Sequence, residues 1–481
     1  MSFLQYRPYC VIFKNMESML LIRNGLIVDT EWSRREDILV KDGKIIRTGK
    51  SIPTSLLPPD TEIVDADGLL VMPGFIDAHT HYGLVSRGTV TADSFKEGSR
   101  CALSGGVTTV VDFADDDKVH SLKECAEARI KEMTEGGMAV DFSLHQGVYH
   151  VGKTTEKDLE ELAEFGVKTI KIFTTYRNVG YLIENRDELV KLFKFAKEHK
   201  ILITAHCEDN DIIEDIAANW KGSYKPQSHP LLRPSCAEAA AIRILGNIAL
   251  QEKMPLYVVH VSSEEGLNEV FDLREEGARI FIETTPTYLF ADKSLLQGKL
   301  GALAVMTPPL RTKKDNAALC EALEDGDINV VATDHCAFTY EQKLSTGEDC
   351  RHTYPGVPGT QEMSSLLSTY ASTGGLISMQ QLVNLISTTP AKLFGLYPKK
   401  GALHIGSDAD IVLFDPEASW KVTKNTIQSA SGYSLYEGRT LIGKVKMTYL
   451  RGRLAYGEDV YLGRSGEGEF VKQNTSAAYK Y

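Results

Sequence analysis

From Met19 onward the hydrophobic positions fall into short apolar runs broken by turn dipeptides. Met19-Leu20-Leu21-Ile22, Arg23-Asn24-Gly25 and Leu26-Ile27-Val28 are followed by Asp37-Ile38-Leu39-Val40 and Lys41-Asp42-Gly43-Lys44-Ile45-Ile46. Asn-Gly and Asp-Gly between β-prone runs are hairpin signals, because these residues tolerate the positive φ of a tight turn. A small all-β unit is therefore predicted over 19–72. The same texture returns in Asp410-Ile411-Val412-Leu413-Phe414-Asp415 and Thr448-Tyr449-Leu450-Arg451-Gly452-Arg453, so 397–460 is predicted to pair with 19–72 as the second half of one sheet domain. Between the halves, over 73–396, strand-like runs (75–79, 108–113, 141–147, 167–173, 202–206, 256–261, 279–283, 329–334) alternate with stretches of helical spacing (94–104, 118–134, 156–165, 186–199, 237–252, 264–276, 316–323). Eight strands trailed by helices predict an α/β fold, a (β/α)8 barrel with a composite β-sandwich built from both chain ends. A doubly wound open sheet is the alternative. Residues 1–18 have no clear period and read as an N-terminal extension. Residues 461–481 have too few apolar positions to fold alone and read as a tail.

Composition narrows the function. A chain of 481 residues with 43% apolar content can bury a substantial core. The net charge of −12, without a basic cluster, argues against a nucleic-acid partner. The cysteines are scattered singly, which fits reduced thiols rather than a zinc knuckle or disulfide framework. Arg7 and Lys14 interrupt the first apolar residues, and no later stretch approaches a membrane span. A soluble, cytoplasmic protein with no membrane partner is expected.

In a barrel the reactive groups gather at the C-terminal ends of the strands. The first predicted strand leads into Asp77-Ala78-His79-Thr80-His81, where the two histidines, two residues apart, share one face. The fourth strand carries Lys171, the fifth ends in His206, the sixth carries His260 and the eighth ends in Asp334. Four imidazoles, a carboxylate and an amine at one mouth point to a metal centre, with Asp77 in a supporting position. His145 and His150 flank the end of the third strand and are secondary candidates. His335, beside Asp334, should point away from it, and His120, His199, His229 and His404 are expected to be solvated. Lys171 lies in the apolar run Thr169-Ile170-Lys171-Ile172-Phe173, where burial lowers an amine pKa. That leaves a buried ion pair, a Schiff-base amine or a carbamate open.

Val71-Met72-Pro73-Gly74-Phe75-Ile76-Asp77-Ala78-His79-Thr80-His81 resembles the first-strand signature of the amidohydrolase superfamily. Ile170-Lys171-Ile172-Phe173-Thr174-Thr175-Tyr176, Thr204-Ala205-His206-Cys207-Glu208, Val258-Val259-His260-Val261-Ser262, Thr307-Pro308-Pro309-Leu310-Arg311 and Thr333-Asp334-His335-Cys336 resemble its dihydropyrimidinase and D-hydantoinase branch. The resemblance implies two divalent metal ions per subunit, usually zinc. His79, His81 and Asp334 would hold one and His206 and His260 the other, with Lys171, carbamylated by carbon dioxide to N6-carboxylysine, bridging both. It implies hydrolysis of a dihydropyrimidine or hydantoin to an N-carbamoyl amino acid through a bridging hydroxide, with Asp334 as general acid–base. Tyr176 would act as hydrogen-bond donor to the oxyanion.

Within the superfamily, Gly83 stands where dihydroorotases carry an arginine for the substrate carboxylate, and Tyr176 is a residue that allantoinases typically lack. Thr307 and Pro355 occupy substrate-binding positions where the branch often has serine or cysteine and asparagine. Proline donates no N–H, which keeps an allantoinase or another cyclic imide or ureide hydrolase as an alternative. A catalytically inactive scaffold of the same fold is the alternative from another class. Residues 84–92 and 177–185, after the first and fourth strands, are the expected substrate-selecting loops. Homotetramers whose tails reach a neighbour are common in the branch.

Overall fold

The computed structural model describes residues 19–298, 301–347 and 349–480; the extension 1–18 lies outside them. Eight parallel strands run in sequential order: β1 (Phe75–Asp77), β2 (Val107–Ala114), β3 (Asp141–Gly147), β4 (Thr169–Phe173), β5 (Leu202–His206), β6 (Leu256–Val258), β7 (Ile280–Thr284) and β8 (Val330–Val331). A parallel bridge between Thr80 and His335 closes β1 on β8, with His81 N–H donating to the His335 carbonyl at 2.9 Å. The barrel is thus complete, and the open-sheet alternative falls.

Alternation along the strands decides what faces the lumen. In β4 Ile170 and Ile172, and in β5 Ile203 and Ala205, join the core between strands and helices. Lys171 and His206, of opposite parity, are left facing inward. Leu202, Ile76, Val111, Tyr257 and Val330 fill the lumen, which Leu393, Phe394, Val471 and Ala478 seal from one end. The helices carry their own start and stop signals. Ser121 and Glu124 form a capping box ahead of Leu122–Glu135, and Gly166, at φ 109°, ends Thr155–Phe165.

A four-stranded sheet packs against a seven-stranded one across a core that includes Leu20, Ile22, Val40, Ile411 and Leu413. In the larger sheet Leu70–Pro73 pairs antiparallel with Ile411–Lys421, so the two chain ends share one sheet. Asp42-Gly43 turns a hairpin between Asp37–Lys41 and Lys44–Gly49, both turn residues at positive φ. Asn24-Gly25 does not. Met19–Arg23 and Leu26–Val28 lie in different sheets, and the dipeptide is the crossing, where a Cβ on Gly25 would stand 2.3 Å from Val71 Cγ2.

The tail also departs from expectation. It lies across the N-terminal end of its own barrel, where Val471 N–H donates to Phe142 O at 2.7 Å, Gln473 N–H to Gly166 O at 2.7 Å and the Tyr479 hydroxyl to Ile201 O at 2.7 Å. Its few apolar side chains suffice because they plug a lumen that already exists. Nearby, the buried Lys400 ammonium pairs with Asp141 of β3 and with Asp408 and Asp410 at 2.9 and 2.7 Å, tying barrel to sandwich. No helix among the described residues is long and apolar enough to cross a membrane.

Candidate metal centre and active site

The first, sixth and eighth strands end earlier than their apolar runs predict, and in the last two the backbone turns at the site itself. His260 and Asp334 adopt φ of 41° and 51°, and Tyr176 of 68°. Left-handed backbone at three non-glycine residues of one strand-end cluster is the kind of local strain a packed scaffold sustains at a functional site.

His79 Nε2 and His81 Nε2 each stand 3.2 Å from Asp334 Oδ1, and these three side chains offer ligand atoms all within 4.8 Å of one another. His206 Nδ1 faces His260 Nε2 at 3.0 Å. The groups adjoin, the rings of His79 and His260 being 5.5 Å apart. Lys171 is buried on the same lumen face, its amine 5.3 and 5.2 Å from the ring centres of Phe113 and Phe173. All six line one cavity of about 780 Å³, with Tyr176, Thr307 and Pro355 higher on its walls.

Electrostatics suit these groups to a cation. Burial lowers the pKa of His79 and His260 well below the usual imidazole value, and that of His206 more moderately, so the rings are neutral with lone pairs available. Glu283 Oε1 lies 2.8 Å from His79 Nδ1, and Glu208 Oε2 lies 2.8 Å from His206 Nε2. A proton on each of those nitrogens turns the opposite lone pair into the cavity. His206 Nδ1 and His260 Nε2 then face each other with at most one proton to share, an arrangement that a cation between them satisfies. Burial lowers the Lys171 pKa to about 8, against the opposing pull of Glu283 and Asp334, leaving a fraction of the amine neutral and nucleophilic. Burial raises the Asp334 carboxyl, but His79 and His81 outweigh it and hold it below the usual carboxylate range. The residues present therefore fit a two-cation centre.

Several supports carry no clear sequence signal. Glu283, at the end of β7, contacts His79, accepts from the His260 N–H at 3.1 Å and from the Tyr257 hydroxyl at 2.7 Å, and burial pushes its pKa up to about 8. Its place at a strand end was the available clue. Glu208, which braces His206, is itself gripped by Arg233. Lys343, fully buried, donates to the carbonyls of Val305, Tyr354 and Gly356 at 2.6, 2.8 and 2.9 Å. It joins the backbone beside Thr307 to that around Pro355. In sequence it looks like any helix-surface lysine.

The remaining candidates separate cleanly. Asp77 accepts from Thr333 N–H and Thr360 Oγ1 at 3.0 and 2.8 Å, holding β1 against β8 beneath the site. His335 reaches Asp93 through Nε2 at 2.8 Å and accepts the Gly359 N–H on Nδ1, facing away from Asp334. His145 is buried between Phe113 and Phe394 and bonded to Thr169, while His150 pairs with Asp116 outside the main cavity. His120 and His404 are exposed and His199 is half-buried. His229 corrects the expectation of solvation. It is buried, with Nε2 3.0 Å from the Met306 carbonyl and its pKa lowered by burial to about 3.

Comparison with known proteins agrees with this geometry. The model of the Amidohydrolase family matches residues 70–455. The chain is 36% identical over 460 residues to the D-hydantoinase of Ralstonia pickettii, covering 94% of this chain and 98% of that protein. It is 36% identical to the D-hydantoinase of Rhizobium radiobacter over the same shares. The crystal structure of dihydropyrimidinase from Brevibacillus agri NCHU1002 superposes with a TM-score of 0.89 at 31% identity, over 95% of this chain and 99% of that one. With every strand-end group of the sequence signature present and converging on one cavity, the chain belongs to the amidohydrolase family, as an enzyme of the hydantoinase/dihydropyrimidinase type.

Proposed function

We propose that the protein opens the ring amide of a dihydropyrimidine or 5-substituted hydantoin, releasing an N-carbamoyl amino acid. The supporting observation is the adjacency of the two imidazole groups around buried Lys171 on the cavity floor. In this reading His79, His81 and Asp334 would hold one divalent cation and His206 and His260 the other, and Lys171, as N6-carboxylysine, would supply carbamate oxygens to both. When bound, two zinc ions would lower the pKa of a shared water and polarise the scissile carbonyl. Asp334, a carboxylate at neutral pH, takes the proton of the attacking water and returns one to the leaving ring nitrogen. The Tyr176 hydroxyl, whose pKa is raised by burial against the opposing charge of Arg233, donates to the oxygen on which charge develops. Removal of that donor in Tyr176→Phe should lower kcat by about 10²- to 10³-fold with metal content unchanged. A loss below about tenfold would return Tyr176 to a packing role.

Pro355 favours a second reading, a cyclic imide or ureide such as allantoin, because the cavity wall offers no N–H at that residue. Metal analysis combined with ring-opening assays on dihydrouracil, 5-substituted hydantoins, allantoin and cyclic imides decides between the two. About two cations per subunit and opening of the first two classes are expected. Under one cation per subunit with all rings intact would overturn both readings and leave the inactive scaffold. Stripping the cations with a chelator should abolish turnover, and zinc should restore it.

A further inference from the structure

We propose that Arg87 selects a substrate whose ring substituent ends in a carboxylate on a short alkyl arm; this deepens, and rests on, the cyclic-amide reading above. Arg87 sits at the turn of a two-stranded hairpin, Val85–Ser86 with Thr89–Val90, over the cavity that holds the candidate ligands. Its φ is 48°, a backbone conformation uncommon for a long side chain. The guanidinium is not free to wander. Nη1 donates to the carbonyls of Arg351 and Thr353, both at 3.1 Å, which joins the hairpin to the loop across the mouth. Among the described residues Nε and Nη2 make no hydrogen bond, and they form a pair of donors of the geometry that takes a carboxylate.

The other charged groups lining the cavity above its floor sharpen the assignment. Arg351 is committed to Asp349 through Nε and Nη2 at 3.0 and 2.5 Å and stacks 3.5 Å over Tyr224. His352 is exposed, 4.0 Å from the same Asp349. Asp115 accepts the Tyr149 hydroxyl on a wall made by the stacked rings of Tyr149 and Tyr181. Arg87 forms no ion pair among the described residues, and its charge reaches inward, opposing protonated Lys343 and favouring the ionised form of Tyr176. An anionic arm has a cation to meet at Arg87 and a carboxylate to avoid at Asp115. A carboxylate fixed directly to the ring finds no such grip lower down. Gly83, where an arginine would be needed, has φ 60° and leaves 3.2 Å between a Cβ and the Phe95 ring.

The test compares kcat/KM of the metal-loaded enzyme for 5-(2-carboxyethyl)hydantoin and for 5-(2-carbamoylethyl)hydantoin, which differ in charge and hardly in shape. The acid should be preferred by about 10- to 100-fold at low salt, as for a charge-assisted hydrogen bond, with the preference shrinking as ionic strength rises. In Arg87→Gln the ratio should fall toward one, and in Arg87→Glu it should invert, whereas Arg87→Lys should keep part of it. Equal use of the two rings by the native enzyme, or an undiminished preference in Arg87→Gln, overturns the selection while leaving the amidase reading intact. Opening of dihydrouracil but of neither hydantoin does the same. Failure on every ring overturns both.

Discussion

Lys171→Ala should lose both bound cations and at least about 10³-fold in kcat/KM, the scale expected when a metal-activated nucleophile disappears, while the barrel remains folded. The residue lies in the middle of β4, paired on both sides with β3 and β5, and its backbone bonds do not depend on the side chain. Truncation also removes a buried amine whose desolvation is unfavourable, which offsets part of the lost packing. An unmodified ammonium beside two dications would repel them, so the proposal requires the amine to attack carbon dioxide, lose a proton and become a carbamate. Metal analysis and circular dichroism on the same preparation separate loss of the centre from loss of the fold. A further readout follows from the vacated space. Propionate or a similar short carboxylate should restore some metal and some turnover to Lys171→Ala, since it returns two oxygens to the bridging position. A variant that kept full activity would exclude the carbamate bridge, and one that unfolded would make Lys171 a structural residue.

The eight-strand order and the composite sandwich were legible because both rest on pattern. β4 and β5 read as strands from β-branched alternation, and the same alternation sends Lys171 and His206 to the lumen. What sequence could not supply was the tertiary context of locally ambiguous signals. Asn24 carries the positive φ of a hairpin turn, yet the dipeptide serves a sheet crossing, where Val71 passes too close for a Cβ at position 25. The tail lacks a core of its own, and only the open end of the barrel, unreadable from residues 461–481 alone, shows where Val471 and Ala478 belong. The apolar runs of β6 and β8 continue past the strand ends because His260 and Asp334 bend the backbone, a feature of φ and not of hydropathy.

At the site, the same rule that collected His79, His81, Lys171, His206, His260 and Asp334, an ionisable residue carried by a barrel strand or standing at its end, also applies to Glu283. The residues around this set obey no such rule. Glu208 and Arg233 meet across the fold, 25 positions apart, and Lys343 is recognised only by the three carbonyls around its amine. These groups brace candidate ligands or hold loops, and their partners are backbone atoms or distant side chains that a linear pattern does not record. His229 shows the converse. A histidine outside the strand ends was expected in solvent, yet it is buried against the Met306 carbonyl at 3.0 Å, and burial together with the nearby Arg233 keeps it neutral.

Asp334→Asn should lower kcat by about 10³- to 10⁴-fold, near the upper range for a positioned general acid–base, with KM within about threefold of native. The substitution isolates the proton. Asparagine is nearly isosteric, still offers an oxygen toward a cation, and tolerates the left-handed backbone at φ 51° as readily as aspartate. It cannot accept a proton from the attacking water. Because His79 and His81 hold the Asp334 carboxyl below the usual carboxylate range in spite of burial, its basic form is present throughout neutral pH. The acid limb that it imposes on kcat should lie below the ordinary carboxylate range, and bound cations would push it lower still. Native enzyme should accordingly show no loss of kcat assignable to this group between neutral pH and about pH 5, and Asp334→Asn should be slow at every pH. Cation loss is the competing explanation for low activity, so the variant is assayed with metal content measured at saturating zinc. Two cations per subunit with kcat still depressed assigns the defect to proton transfer. Recovery of native kcat at saturating zinc would make Asp334 a ligand alone, and the proton would then have to travel by another of the cavity's groups, such as Tyr176, whose ring centre lies 5.6 Å from that of His206.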